Sequence, residues 1–288
     1  MPFFRSIALK LAGQTPAWAK GFIYRRPLLL RPLAALLKRI VPPDREAVVE
    51  ITGGPNRGLR LAVDRSVPNY FWLNPDYEPA VQKSFAALLH PGMVAADIGA
   101  HMGFDTLHLA ILVGTSGVVH AFEPDPANGR RLRRNCELNS LHQVICHATA
   151  VSDRKGIVSF SASGTTTSHI AEETEAGSIT VPTITLDEAM SHFANRPLNL
   201  VKLDVEGSEF KVLQGATHIL REIRPSWLIE IHSAQTLTDC VRLLLAARYH
   251  VEPLTETEYY ANAIARLYQG EEPAFAGFDV GHIRAVPA

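Results

Sequence analysis

The sequence predicts an α/β protein built on a doubly wound, largely parallel sheet, and three observations predict it. Between residues 93 and 247, apolar runs with strand character alternate with segments of helical spacing, the pattern of consecutive βαβ units. Acidic or glycine-rich segments directly follow several of those runs, where open parallel sheets place their ligands. The 288 residues are 47% apolar and 20% charged, which supports a large buried core and excludes a disordered or collagen-like chain. Three scattered cysteines, Cys136, Cys146 and Cys240, exclude a disulfide framework and a CxxC zinc site and favour a reducing compartment.

The first 43 residues carry eight basic side chains (Arg5, Lys10, Lys20, Arg25, Arg26, Arg31, Lys38, Arg39) and no acid, leaving 20 basic against 29 acidic in the remainder. Lys10, Lys20, Arg31 and Lys38 interrupt the apolar stretches of this arm, well short of the ~20 residues that span a bilayer. Charge inside the would-be core of a leader also argues against a secretory signal, so a cytoplasmic protein is expected. After Pro42-Pro43, residues 47–52 and 59–63 read as two short strands around Gly53-Gly54-Pro55-Asn56, a hairpin. Residues 77–89 have helical spacing (Val81, Phe85, Leu88, Leu89) and end at Pro91-Gly92.

The alternation then begins. Strands are expected at 93–98, 118–122 and 144–151, with helices at 104–113 and 126–139 between them. A Ser/Thr-rich stretch at 161–168 interrupts, after which 198–203 and 227–231 read as strands and 209–221 and 238–247 as helices. The tail beyond Tyr249 has β character without a clear pattern. The expected division is therefore a basic helical arm with a hairpin extension, residues 1–90, and a ligand-binding α/β domain, residues 91–288.

Four strand ends carry candidate chemistry. Asp97-Ile-Gly99-Ala-His101-Met-Gly103 is a nucleotide-type turn, but it lacks the middle glycine of G-x-G-x-x-G, and a leading carboxylate suits a cationic ligand better than a diphosphate. Glu123 ends the next strand and has the spacing of an acid that accepts ribose hydroxyls; the plain alternative is a helix N-terminal charge ahead of Pro124 and Pro126. Asp153, after the third strand, can face an adenine amino group or simply make a turn. In Lys202-Leu-Asp204-Val-Glu206, period-two alternation puts Lys202 and Asp204 on one face of an otherwise apolar strand. Such a pair is costly to bury without partners, and Glu230 on the neighbouring strand is the expected partner of Lys202.

In order, D-I-G-A-x-x-G, A-F-E-P-D-P, N-x-x-L-N, A-V-S-D, T-L-D, V-K-L-D-V-E-G-S-E and V-L-x-G-A resemble the FkbM family of S-adenosylmethionine-dependent methyltransferases, over about Asp97 to His232. The resemblance implies the class I (Rossmann-like) methyltransferase fold, a seven-stranded sheet with its last strand antiparallel, and methyl transfer mostly to hydroxyl oxygens of sugars, lipids or polyketides. It implies Asp97, Gly99 and Gly103 around the methionine portion of S-adenosylmethionine, Glu123 on the ribose, Asp153 at adenine, and Asp204 and Glu206 near the sulfonium and acceptor. His101 stands where the family usually has Asn, and His169 follows a Thr-rich segment where the family often has a Ser-rich loop.

A hydroxyl acceptor needs a base for its proton. Asp204 is the first candidate and His232 the second, with Glu206, His101 and His169 also considered. Asp204 and Glu206 are hard oxygen ligands, but no complete metal ligand set is visible in the sequence. Three alternative uses of the arm are expected: packing over the acceptor site or against a second copy in a homo-oligomer, peripheral contact with an anionic membrane through Phe3, Phe4, Ile7, Leu11, Trp18, Phe22, Leu28, Leu29 and Leu30, or contact with RNA, which the acidic body disfavours. The expected activity is O-methylation of a sugar, lipid-linked glycan or other small molecule. An NAD-linked oxidoreductase and a non-catalytic nucleotide-binding module are the alternatives.

Overall fold

The computed structural model describes residues 47–288 apart from 52, 64–76, 162–168, 171–177, 192, 194–195, 255–257 and 274–277. The basic arm and most of the Thr-rich loop lie outside the described residues. In chain order the elements are β1 (Ala47–Glu50), β2 (Arg60–Val63), α1 (Pro79–Leu88), β3 (Val94–Ile98), α2 (Phe104–Val113), β4 (Val118–Phe122), α3 (Pro126–Leu138) and β5 (Val144–His147). There follow β6 (Ala150–Val151), β7 (Gly156–Ser161), β8 (His169–Ile170), β9 (Ile179–Ile184) and α4 (Leu186–Ser191). The last are β10 (Leu200–Leu203), α5 (Glu209–Gln214), β11 (Ser226–Ile231), α6 (Ala234–Ala246), β12 (Tyr249–Pro253), α7 (Glu258–Tyr268) and β13 (Gly281–Pro287).

A seven-stranded sheet ordered β12-β13-β11-β10-β3-β4-β5 forms the centre. The β5, β4, β3, β10 and β11 strands pair in parallel, whereas β13 is antiparallel to both β11 and β12. This is the class I order that the family resemblance implies. The order of connections reverses at the β3–β10 seam, with β4 and β5 on one side and β11 on the other, which leaves a crevice beyond the strand ends. All of β3 and all of β10 are buried, as a parallel sheet covered on both faces requires. One apolar cluster includes Trp227, Tyr260 and Leu244, and a second joins α1, α2 and α3 to Ile51 and Leu61 of the hairpin region.

The expected hairpin is present as β1 and β2, and two asparagines clip it to the body. The Ala62 amide donates to Asn135 Oδ1 at 2.6 Å and the Arg60 amide to Asn139 Oδ1 at 2.8 Å, while Asn135 Nδ2 donates to the Met102 carbonyl at 2.7 Å. The N-x-x-L-N motif thus satisfies an otherwise open sheet edge and braces the glycine turn.

Three expectations need correction. The strand expected over 144–151 is two strands: β5 ends at His147, and β6 leaves the main sheet to pair with β9 in a four-stranded sheet ordered β6-β9-β7-β8. Turn backbone at 148–149 separates them, a break that a continuous apolar pattern hides. The helix expected over 209–221 ends at Gln214, followed by a π-helical turn over Ile219–Ile223. A Cβ on Gly215 would lie 2.1 Å from the Ser152 carbonyl oxygen, so the backbones meet there and the helix stops. The helix expected from 238 begins at Ala234, because Ser233 caps it by accepting the Thr236 amide at 3.0 Å. No helix among the described residues is long and apolar enough to cross a membrane.

Candidate active site

Strand β3 ends in the turn that opens the crevice. Gly99 has φ +82°, and a Cβ there would sit 1.7 Å from the Asp204 carbonyl oxygen, so only glycine lets the ends of β3 and β10 touch. His101 follows at φ +49°, in the left-handed region that asparagine and histidine enter more readily than most residues. Its amide donates to Glu123 Oε2 at 2.7 Å. Burial keeps its ring neutral, the pKa lowered to about 4, and Nε2 is buried without a hydrogen-bond partner. Gly103 precedes α2 and packs against Leu132.

Glu123 ends β4 at the rim of a cavity of about 290 Å³. Besides the His101 amide it accepts the Asp125 amide at 2.8 Å, and burial pushes its carboxyl up to about 8. Gly99, His101, Glu123, Lys202, Asp204 and Glu206 all line this cavity. Asp153 does not: its carboxylate accepts from Ser152 Oγ at 3.1 Å and lies 3.9 Å from Arg154. Because the chain turns after β5, Thr149, Ala150 and Val151 form that wall instead, with Phe160 of β7 beside them.

Asp97 is fully buried and also absent from the cavity lining. Its Oδ2 accepts the Thr106 hydroxyl at 2.5 Å, and Lys202 Nζ is 3.7 Å from its Oδ1. Burial raises its pKa to about 6 against the pull of Lys202. Lys202 Nζ also donates to Asp204 Oδ2 at 3.2 Å and lies 3.7 Å from Asp105. Burial alone would strip its proton, but Asp204, Asp97 and Asp105 hold the pKa well above the usual lysine value. Lys202 and Asp204 therefore share a face, as the period-two reading expects. The expected ion pair with Glu230 is not formed, because in register Lys202 stands beside Asp97 and Leu228, short of Glu230.

Glu230 instead faces two histidines. Its Oε1 is 3.9 Å from His232 Nε2 and its Oε2 is 3.5 Å from His282 Nε2. His232 Nδ1 bonds Glu209 Oε1 at 2.9 Å, while Nε2 lies 3.7 Å from Asp204 Oδ1 and 3.5 Å from Glu206 Oε2. Burial would lower the imidazole pKa, but the Glu209 bond and the surrounding carboxylates outweigh it and raise it to about 9. His232 therefore holds a proton more firmly than a free imidazole does. Burial pushes Glu206 up to about 7. Asp204 is held below its ordinary value, since Lys202 and His232 overcome the effect of burial.

The sequence reading did not single out Asp105, Glu209, Phe160 or His282. Glu209 was legible as part of the K-L-D-V-E-G-S-E motif, but its orientation toward His232 was not. Asp105 and Tyr77 line the cavity from positions no strand-end rule selects. His169 lies on β8, with its side chain outside the described residues.

The resemblance implies S-adenosylmethionine here, and the residues fit it. Gly99 keeps the turn backbone bare, His101 Nε2 is an orphaned buried polar atom, Glu123 reaches the wall where a ribose would lie, and Asp204, Glu206 and Glu230 would face a sulfonium, with Lys202 already paired to Asp97, Asp105 and Asp204. The cavity lacks the basic cradle that a dinucleotide's diphosphate wants.

The family model "Methyltransferase FkbM domain" matches residues 97–251, more than half of the chain. A hexuronic acid methyltransferase of Haloferax volcanii, AglP, is 31% identical over 156 residues, covering 54% of this chain and 63% of that protein. A 2-O-methyltransferase of Sinorhizobium fredii, NoeI, is 27% identical over 163 residues, covering 50% of this chain and 66% of that protein. The chain thus spans a little under two thirds of each of these relatives. Among solved structures, methyltransferase FkbM of Methylobacillus flagellatus aligns with a TM-score of 0.45 at 15% identity, covering 77% of this chain and 56% of that one.

Proposed function

The chain belongs to the FkbM methyltransferase domain family, and from that premise we propose that it transfers the methyl group of S-adenosylmethionine to a hydroxyl oxygen of a sugar, lipid-linked glycan or other small molecule. The observation that carries this reading is one cavity lined by the Gly99 turn and Glu123 together with Asp204 and Glu206, with His232 Nε2 3.7 and 3.5 Å from those two carboxylates. The donor supplies an electrophilic methyl group when bound. The chain's own residues then seat its ribose on Glu123, its adenine against Val151 and Phe160, and its charged end beside Asp204 and Glu206, which follow β10. An acceptor hydroxyl at the far end meets carboxylates able to take its proton, with positioning doing most of the remaining work. Asp204 and Glu206 serve this end, and Lys202 positions Asp204.

The printed names of the two relatives, a hexuronic acid methyltransferase and a 2-O-methyltransferase, favour sugar acceptors. The NAD-linked alternative is disfavoured by acids where a diphosphate would sit. Calorimetric titration with S-adenosylhomocysteine and NAD tests the donor. Binding of the first alone, lost in Glu123→Ala, is expected, followed by mass-spectrometric detection of methyl transfer to uronic-acid or neutral glycosides. NAD binding without S-adenosylhomocysteine binding overturns the reading. Donor binding with no turnover on any acceptor class would favour a non-catalytic module.

A further inference from the structure

We infer that Asp204, Glu206 and His232 form a site for one divalent cation of the manganese class at the acceptor end of the cavity. One ligand atom from each of the three lies within 4.8 Å of the others, brought together by the adjacent parallel ends of β10 and β11. Two carboxylates with one imidazole are a donor set for a borderline divalent ion.

Three observations independent of the acid content point to a ligand. First, His232 Nε2 is 3.5 Å from Glu206 and 3.7 Å from Asp204, and no hydrogen bond joins them. A charge-assisted bond would close to about 2.7–2.9 Å. Two ligands each about 2.1 Å from a shared ion stand roughly 3–3.6 Å apart, so the spacing nearly matches an ion between the groups. Second, the other ring nitrogen is already held: Nδ1 bonds Glu209 Oε1 at 2.9 Å, which fixes the tautomer and aims Nε2 at the two carboxylates. A carboxylate behind a ligating histidine is the usual way a protein orients such a ligand. Third, Glu209 is fully buried and its Oε2 has no hydrogen-bond partner among the described residues. Its Oε1 also accepts the Val205 and Gly207 amides at 3.3 and 3.0 Å, so the carboxylate that orients the ring is itself held in place.

Lys202 forms no ion pair with Glu206: its partners are Asp97, Asp105 and Asp204. Glu230, farther from Nε2 at 3.9 Å and turned toward His282, stays outside the trio. The site is read from geometry and does not depend on methyl transfer. Its use, which does rest on that reading, is to hold two adjacent oxygens of a sugar acceptor beside the donor.

The test is titration of the full-length protein with Mn²⁺, without donor, followed by electron paramagnetic resonance. One ion per chain is expected, with pulsed spectra showing coupling to a single histidine nitrogen, a readout that needs no variant. Binding should weaken at least tenfold in Glu206→Gln and in His232→Gln and stay unchanged in the surface variant Glu188→Gln, with circular dichroism reporting folding. Absence of saturable binding at millimolar Mn²⁺, bound ion without nitrogen coupling, or equal binding by folded variants overturns the proposal. S-adenosylhomocysteine titrated into the same sample separates the two readings: donor binding without Mn²⁺ binding refutes the cation site alone, and the converse refutes the donor assignment alone.

Discussion

Glu123 shows how a strand-end acid is held in a fixed direction at a cavity wall. Both of its oxygens already accept backbone amides, which fixes the carboxylate's direction while leaving further lone pairs for ribose hydroxyls. Burial sets its pKa at about 8, so the ionised, doubly accepting form grows as pH rises through that value. 5′-Methylthioadenosine, which carries the ribose but no titrating amino acid, should therefore bind up to about tenfold more tightly at pH 9 than at pH 7. The pH dependence should vanish in Glu123→Gln; a flat wild-type profile would remove Glu123 from the ribose. The residue type and spacing of this acid were legible in the sequence. Its amide partners were not, because they depend on how the Gly99 turn and the start of α3 fold back toward it.

At the scale of elements, the second sheet and the hairpin decide details that no single strand does. With β6 turned away from β5, Phe160 faces the cavity and Asp153 does not. Phe160→Ala should cost about 1–2 kcal/mol of donor binding, the order of a lost base–aromatic contact, while Asp153→Ala should leave donor affinity unchanged in the same calorimetric series. The reverse ranking would restore the adenine role expected of Asp153. On the opposite face, Asn135 ties β2 to the turn ahead of α2. Asn135→Ala leaves a buried amide and a carbonyl unpaired and should lower unfolding free energy by about 1–3 kcal/mol, with faster hydrogen exchange concentrated at Arg60–Val63. Helix α7 also carries a local signal, since Tyr260, Ala263, Ile264 and Leu267 follow helical spacing and are buried, but the β-like runs on either side of it mask that spacing.

Across the whole molecule, Lys202 links the two halves of the sheet at the seam where connection direction reverses. It sits on β10 in the lining of the cavity, 3.7 Å from Asp97 on β3 and 3.7 Å from Asp105 on α2. Lys202→Met removes the cation from three buried or half-buried carboxylates and should destabilise the protein by about 3–5 kcal/mol. Adding Asp97→Asn should recover part of that loss in chemical denaturation, since one of the uncompensated charges is then gone. Full additivity of the two substitutions would mean that the pair is not coupled.

The alternation of periodicities, the glycine turn and the acids at strand ends are local facts, and local facts suffice for a doubly wound sheet because backbone hydrogen bonding and burial leave few other arrangements. The sequence by itself therefore determined the fold class, the family and the crevice to examine. Only the tertiary structure decided which acids reach that crevice. Asp97 is drawn beneath the floor by Lys202 and Thr106, Asp153 is carried off by the turn after β5, and His232, Glu206 and Asp204 meet only because β10 and β11 end side by side. A side chain's neighbours depend on register and on the twist between strands, and these are set by packing of the whole core, not by any run of residues.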